Sequence, residues 1–105
     1  METKVTTKLE VLRRLRQHSE EIRSLGVEKL GLFGSFAREE QASESDVDLL
    51  VEFRGQEKSF DNFMHLSFFL EDLLQRRVEL LTPQALSPYL GPRILGEVQD
   101  VPLGF

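Results

Sequence analysis

Gly34-Ser35-Phe36-Ala37-Arg38-Glu39-Glu40-Gln41-Ala42-Ser43-Glu44-Ser45-Asp46-Val47-Asp48-Leu49-Leu50-Val51 joins a Gly-Ser turn to an Asp-x-Asp that runs straight into an apolar strand. Glycine allows a backbone to approach a ligand closely, and a helix start just after it offers free N–H groups to phosphate oxygens. Two carboxylates two residues apart on a strand share a face, roughly 6.5 Å apart, and repel unless a cation lies between them. A site with few protein oxygens suits Mg²⁺, which keeps waters and takes phosphate oxygens from its substrate. Either half alone is an ordinary turn or a solvent-facing pair. Their spacing makes nucleotide chemistry the leading reading, with Asp46 and Asp48 as metal ligands and Gly34 and Ser35 as phosphate contacts.

The strand that follows has the clearest pattern in the chain. Val47, Leu49, Val51 and Phe53 fall on one face, and Asp46, Asp48, Leu50 and Glu52 on the other. Leu49 to Val51 are consecutively apolar, which predicts cover on both sides at mid-strand. Upstream, Leu30 to Phe33 reads as a second strand. Before it, Leu9, Leu12, Leu15, Ile22 and Leu25 recur at helical spacing. Thr7 with Glu10 has capping-box spacing, and Gly26 suits a left-handed end, so one helix is expected from Thr7 to Leu25. Phe36 to Glu40 reads as a short helix or turn, and Gly55 to Lys58 as a turn. Ser59 is placed to cap a broadly apolar helix, Phe60 to Arg76, whose phenylalanines Phe60, Phe63, Phe68 and Phe69 are expected in the core. A third strand follows at Arg77 to Leu81, then a short helix start at Thr82-Pro83 and another short helix at Arg93 to Val98. The apolar tail Val101 to Phe105 is expected to pack on this chain or on a partner. Helices mixed with a small sheet make an α/β or α+β domain, read as one domain over 1–105.

In Arg77-Val78-Glu79-Leu80-Leu81, Glu79 points away from its apolar neighbours. It is either a third carboxylate beside Asp46 and Asp48, a ligand or a base, or an exposed glutamate on an edge strand. Arg38 has a planar fork suited to phosphate, and equally suited to Glu39 or Glu40. His18 and His65 lack metal-ligand spacing and read as structural or exposed.

Bulk properties exclude several classes. The 105 residues carry a net charge of −5, which disfavours a stand-alone nucleic-acid binder. There is no cysteine, so disulfides and thiolate zinc sites are ruled out. No apolar run approaches the roughly 20 residues that span a bilayer, and the N-terminal residues do not resemble a signal peptide. The expected location is the cytoplasm.

Gly-Ser-Phe-Ala-Arg followed by Ser-Asp-Val-Asp-Leu-Leu-Val-Glu-Phe resembles the signature of the minimal nucleotidyltransferases, the small MNT-type proteins of the DNA polymerase β-like superfamily. Arg-Val-Glu-Leu-Leu-Thr-Pro resembles that family's third-carboxylate strand. The resemblance implies a nucleotidyltransferase fold with a small mixed sheet packed on helices. It implies an antitoxin role in a prokaryotic two-gene system whose other member is a HEPN-domain toxin. The implied reaction is Mg²⁺-dependent transfer of AMP from ATP to a toxin tyrosine, with one or two ions at Asp46, Asp48 and Glu79 and with Gly34, Ser35, Arg38 and Ser45 on the nucleotide. A hetero-oligomer with the toxin is expected, and a homodimer stays open. The chain departs from the pattern twice: Glu39 stands where the family commonly has glycine, and Glu79 where it commonly has aspartate. Those departures keep a non-catalytic antitoxin as an alternative. A small-molecule (antibiotic) nucleotidyltransferase is a third reading, disfavoured because a chain of this length leaves little room to bind an acceptor.

Overall fold

The computed structural model describes residues 3–104. Its centre is the strand anticipated from the alternating pattern, β2 (Val47–Phe53), with β1 (Val27–Phe33), β3 (Val78–Leu81) and β4 (Gln99–Asp100). The sheet order is β3-β2-β1-β4. β1 runs antiparallel to β2 and to β4, whereas β3 runs parallel to β2. A parallel neighbour needs a crossover, and α4 (Phe60–Leu74) supplies it. The sheet is therefore mixed, as the family resemblance implies.

Strand pairing sorts the side chains into two faces. Leu30, Leu32, Val47, Leu49, Val51 and Leu80 belong to the hydrophobic core, shared with Val11 and Leu15 of α1 (Lys8–Gln17), Ile22 of α2 (Ser19–Ser24), and α4. On the opposite face, Phe33, Asp48 and Glu79 form one transverse row, because Phe33 pairs with Asp48 and Asp48 with Glu79. Leu50 is buried on that second face, so β2 is covered on both sides at its middle, as its apolar run predicts.

The single helix expected from Thr7 to Leu25 is two. The capping box at Thr7 and Glu10 forms as anticipated, but His18 leaves helical geometry at φ −113°, ψ 25°. Its N–H turns to Leu15 O, and its ring Nδ1 lies 3.0 Å from Arg14 O. Ile22, beyond the break, is buried in the core alongside Val11 and Leu15. Gly26, at φ +92°, takes the left-handed conformation expected of it.

Ser59 caps α4 through the Asn62 N–H, and the helix ends at Leu74, two residues short of the expectation, with Gln75 as its cap. Its core stripe is Leu66, Leu70, Leu73 and Leu74. Phe63 and Phe69 pack at the margin of the core, while Phe60 and Phe68 stand 77% and 61% exposed. The expectation that all four phenylalanines are core is corrected. A helix that is apolar nearly all round can turn only one stripe inward, and the leucines occupy it.

α5 (Gly91–Glu97) leads into β4, an element the sequence reading lacked. β4 pairs with Gly31 and Leu32 of β1, and Val101 N–H then donates to Leu30 O at 2.8 Å. Val101 and Leu103 are buried, so the apolar tail packs on its own chain. Phe105 lies outside the described residues.

Candidate active site

α3 (Gly34–Arg38) starts where β1 ends and sits beside the Phe33–Asp48–Glu79 row. Gly34 is obligatory there for two reasons. Its φ is +76°, and a Cβ would lie 2.0 Å from Asp48 Oδ2. The turn and the second aspartate are thus in direct contact, across the 13 intervening residues. Ser35 is half-buried at the second position of α3.

Asp48 is the electrostatic centre of the site. Burial, then a hydrogen bond shared with Glu79, then repulsion from Glu79 and Asp46 push its carboxyl up to about 7, while Arg38 pulls it down. The sheet has brought the Asp48 carboxyl beside a second carboxyl group on the same face. Glu79 is exposed to solvent on the same face. Its strand β3 is an edge of the sheet, and there Glu79 pairs in register with Asp48, so it is both an exposed edge residue and a partner of Asp48.

Asp46 lies one residue before β2 and turns aside. Its Oδ1 is 3.3 Å from Arg77 Nε, and the Arg77 side chain is 83% exposed. It borders a polar cleft of about 510 Å³ lined by Glu44, Ser45, Arg76 and Arg77. Among the described residues, no three acidic, histidine or cysteine side chains converge closely enough to hold an ion. The expected three-carboxylate set is therefore an Asp48–Glu79 pair with Asp46 at its margin. An exposed ion pair of this kind is worth about 1 kcal/mol or less, so the contact with Arg77 holds the Asp46 side chain only weakly. Oxygen donors alone, two of them mutually repelling, suit a hard divalent cation.

Arg38 pairs with Glu40, one of the two alternatives open from sequence, and also with a residue sequence reading missed. Its Nε donates to Glu40 Oε1 at 2.9 Å, and its Nη1 donates to Glu97 Oε1 and Oε2 at 3.1 and 2.9 Å. Glu97 Oε1 also accepts from the Gly34 N–H at 3.3 Å. No local pattern marks Glu97, because it reaches the site only through the packing of α5 on α3.

Ser45 is consumed in a turn. Its hydroxyl accepts from the Ala42 N–H at 2.8 Å, and its carbonyl accepts from Arg76 Nη1 at 2.9 Å. Arg76 is a second residue the sequence did not single out. It is buried, donates to Val5 O, Ser43 O and Ser45 O, and lies with its guanidinium carbon 5.0 Å from the Phe36 ring centre. One side chain thus ties the N-terminal segment, the loop before Asp46 and α3 together.

An apolar cavity of about 500 Å³ opens elsewhere, between β3 and the start of α4, lined by Phe60, Phe63, Leu81 and Thr82 among others. It includes none of the carboxylates, Gly34 or Arg38, and so is separate from this site.

Glu39, which stands where a glycine is common in the pattern above, ends α3 in the left-handed region at φ +58°. A residue with a Cβ is disfavoured there by about 1–2 kcal/mol, offset in part by the greater unfolded-state freedom of glycine. Glu39→Gly is expected to stabilise the chain by about 0.5–1 kcal/mol, read as a higher urea midpoint at unchanged slope. A lower midpoint would contradict it.

The family model described as "nucleotidyltransferase domain" matches residues 15–101, from within α1 through β4. The chain belongs to this nucleotidyltransferase family. The nucleotidyltransferase is 39% identical over 85 residues to the protein adenylyltransferase MntA of Thermococcus cleftensis, covering 80% of this chain and 85% of that one. It is 45% identical over 76 residues to a candidate protein adenylyltransferase of Methanocaldococcus jannaschii, covering 72% and 81%. A solved structure of a candidate minimal nucleotidyltransferase superposes with a TM-score of 0.68 at 34% identity, covering 84% of this chain and 93% of that chain. The same fold recurs in a toxin–antitoxin structure with AMP-PNP, with a TM-score of 0.65 at 18% identity over 91% and 73% of the two chains. It recurs again in a tri-AMPylated Shewanella oneidensis HEPN toxin in complex with its MNT antitoxin, with a TM-score of 0.54 at 18% identity over 81% and 69%. Both of the sequence relatives named above are protein adenylyltransferases, known or candidate. Among its described residues, no helix is long and apolar enough to cross a membrane.

Proposed function

We propose that this chain is the antitoxin of a toxin–antitoxin pair and transfers AMP from ATP to a tyrosine hydroxyl of a HEPN-domain partner toxin. The observation that carries the reading is the convergence of the Asp48–Glu79 pair with Gly34 and Arg38 at one end of the sheet. Kinship with protein adenylyltransferases supports it. Use of ATP fits cytoplasmic action.

In this reading, the Gly34 N–H, Ser35 and Arg38 hold the triphosphate, and Ser45 shapes the loop that delivers Asp46. Asp46, Asp48 and Glu79 would hold Mg²⁺. The ion would offset charge on the phosphates and on the attacking oxygen. Glu79, the more exposed of the paired carboxylates, meets the incoming tyrosine and accepts its proton. The tyrosine oxygen forms a bond to the α-phosphorus, the bond from that phosphorus to the bridging oxygen breaks, and pyrophosphate leaves. The partner supplies the acceptor, and the net charge of −5 disfavours bare nucleic acid in that role.

The test incubates the purified chain with the HEPN protein, labelled ATP and Mg²⁺. Added AMP on a partner tyrosine, seen by intact mass and peptide mapping, is the expected result. A stable complex with an unmodified partner would overturn the reading and leave stoichiometric binding, which the seating of Glu97 on the phosphate donors favours.

A further inference from the structure

We propose that Glu97 is an internal occupant of the phosphate cradle, which the nucleotide must displace, so that this residue sets nucleotide affinity. The inference rests on the nucleotide reading of the site.

The geometry is that of a carboxylate held as an anionic ligand. Glu97 Oε1 accepts from the Gly34 N–H at 3.3 Å and from Arg38 Nη1 at 3.1 Å, and Oε2 accepts from the same Nη1 at 2.9 Å. These are two of the donors assigned to the triphosphate. A carboxylate and two phosphate oxygens present similar geometry to a guanidinium, so they compete for it. The side chain of Glu97 is only 22% exposed. Glu97 ends α5, where the helix dipole disfavours an anion, so Gly34 and Arg38 are what hold it there.

A triphosphate cannot share these donors with a resident carboxylate, because the like charges would meet at hydrogen-bond distance. The preceding residue makes departure easy. Gly96 has open space around its α-carbon and weakens the last turn of α5. Arg38 keeps its Glu40 partner at Nε when Glu97 leaves, so the guanidinium stays near its present position.

An occupied cradle lowers apparent affinity by the fraction of time it is open. If that fraction is roughly one tenth, Glu97→Ala tightens binding about tenfold. The experiment measures dissociation constants by calorimetry for two probes, ATP with Mg²⁺ and inorganic triphosphate, on the wild type, Glu97→Ala and Glu97→Gln. Both variants are expected to bind both probes more tightly, the glutamine less so because it retains one acceptor oxygen. Thermal unfolding checks the fold, and if the alanine variant does not fold, the isosteric glutamine variant decides. Equal or weaker binding in the folded variants overturns the proposal, as does absence of binding in all three proteins. Tighter binding without AMP transfer to the partner leaves this inference standing and overturns the proposed activity.

Discussion

Asp48→Asn is expected to reduce AMP transfer by roughly two to three orders of magnitude while raising the stability of the metal-free chain at pH 8. The loss follows from removing the charge at the centre of the site, where Asp48 faces both Glu79 and Gly34. The gain follows from the same charge. Asp48 has an ordinary carboxyl value of 3.8 when unperturbed and about 7 in the folded chain. A raised value means that the folded state binds the proton more tightly. Its stabilising contribution is therefore complete below about pH 4 and is lost as pH rises through about 7. Above that, folding places a charged carboxylate beside Glu79. The site is partly open to solvent, so screening reduces the effect to the order of 1 kcal/mol. Urea unfolding at pH 4 and pH 8 should show a fall for the wild type that is smaller in the variant. Added Mg²⁺ should restore stability at pH 8 in the wild type but not in Asp48→Asn. Equal destabilisation of the variant at both pH values would show that Asp48 is a structural residue.

Arg76→Ala is expected to cost about 3 kcal/mol of stability, a large share of what a chain of this size has in reserve. Arg76 Nε donates to Val5 O at 2.6 Å, and Nη1 donates to Ser43 O and Ser45 O at 2.9 Å each. Truncation leaves three carbonyls to find other donors and strips the cation from the Phe36 ring. Relief from holding a charge in a buried position offsets part of that loss. Ser45 immediately precedes Asp46, so the variant should also lose much of the stabilisation that Mg²⁺ gives at pH 8. Arg76→Lys keeps the charge but not the fork, and should fall between. Chemical denaturation with and without Mg²⁺ separates the two effects. An alanine variant within about 0.5 kcal/mol of wild type would show that these bonds are replaced by water.

Several elements were legible because their signals are local. β2 occupies Val47–Phe53, the span its alternation predicted. The Thr7 capping box, the Ser59 cap and the left-handed Gly26 each depend on residues within a few positions of one another. The helix break at His18 was not legible, since the apolar spacing on either side continues through it. Nor was β4, because two residues on an edge carry no periodicity and Gln99–Asp100 becomes a strand only against Gly31 and Leu32.

The site divides along the same line. The amino-acid sequence by itself determined which residue types are present: a Gly-Ser turn, an Asp-x-Asp at the mouth of a strand, a third carboxylate and an acidic chain without cysteine. Those choices are chemical, and they survive any arrangement. Tertiary structure alone decided that Asp48 is partly buried with Glu79 opposite it, burial first and Glu79 second raising its carboxyl to about 7. Tertiary structure also turned Asp46 toward Arg77, drew Arg76 under the loop, and set Glu97 on Gly34 and Arg38. Each of these joins residues 31 to 63 positions apart in the chain. Charge and burial act through space, and only the folded chain sets those distances.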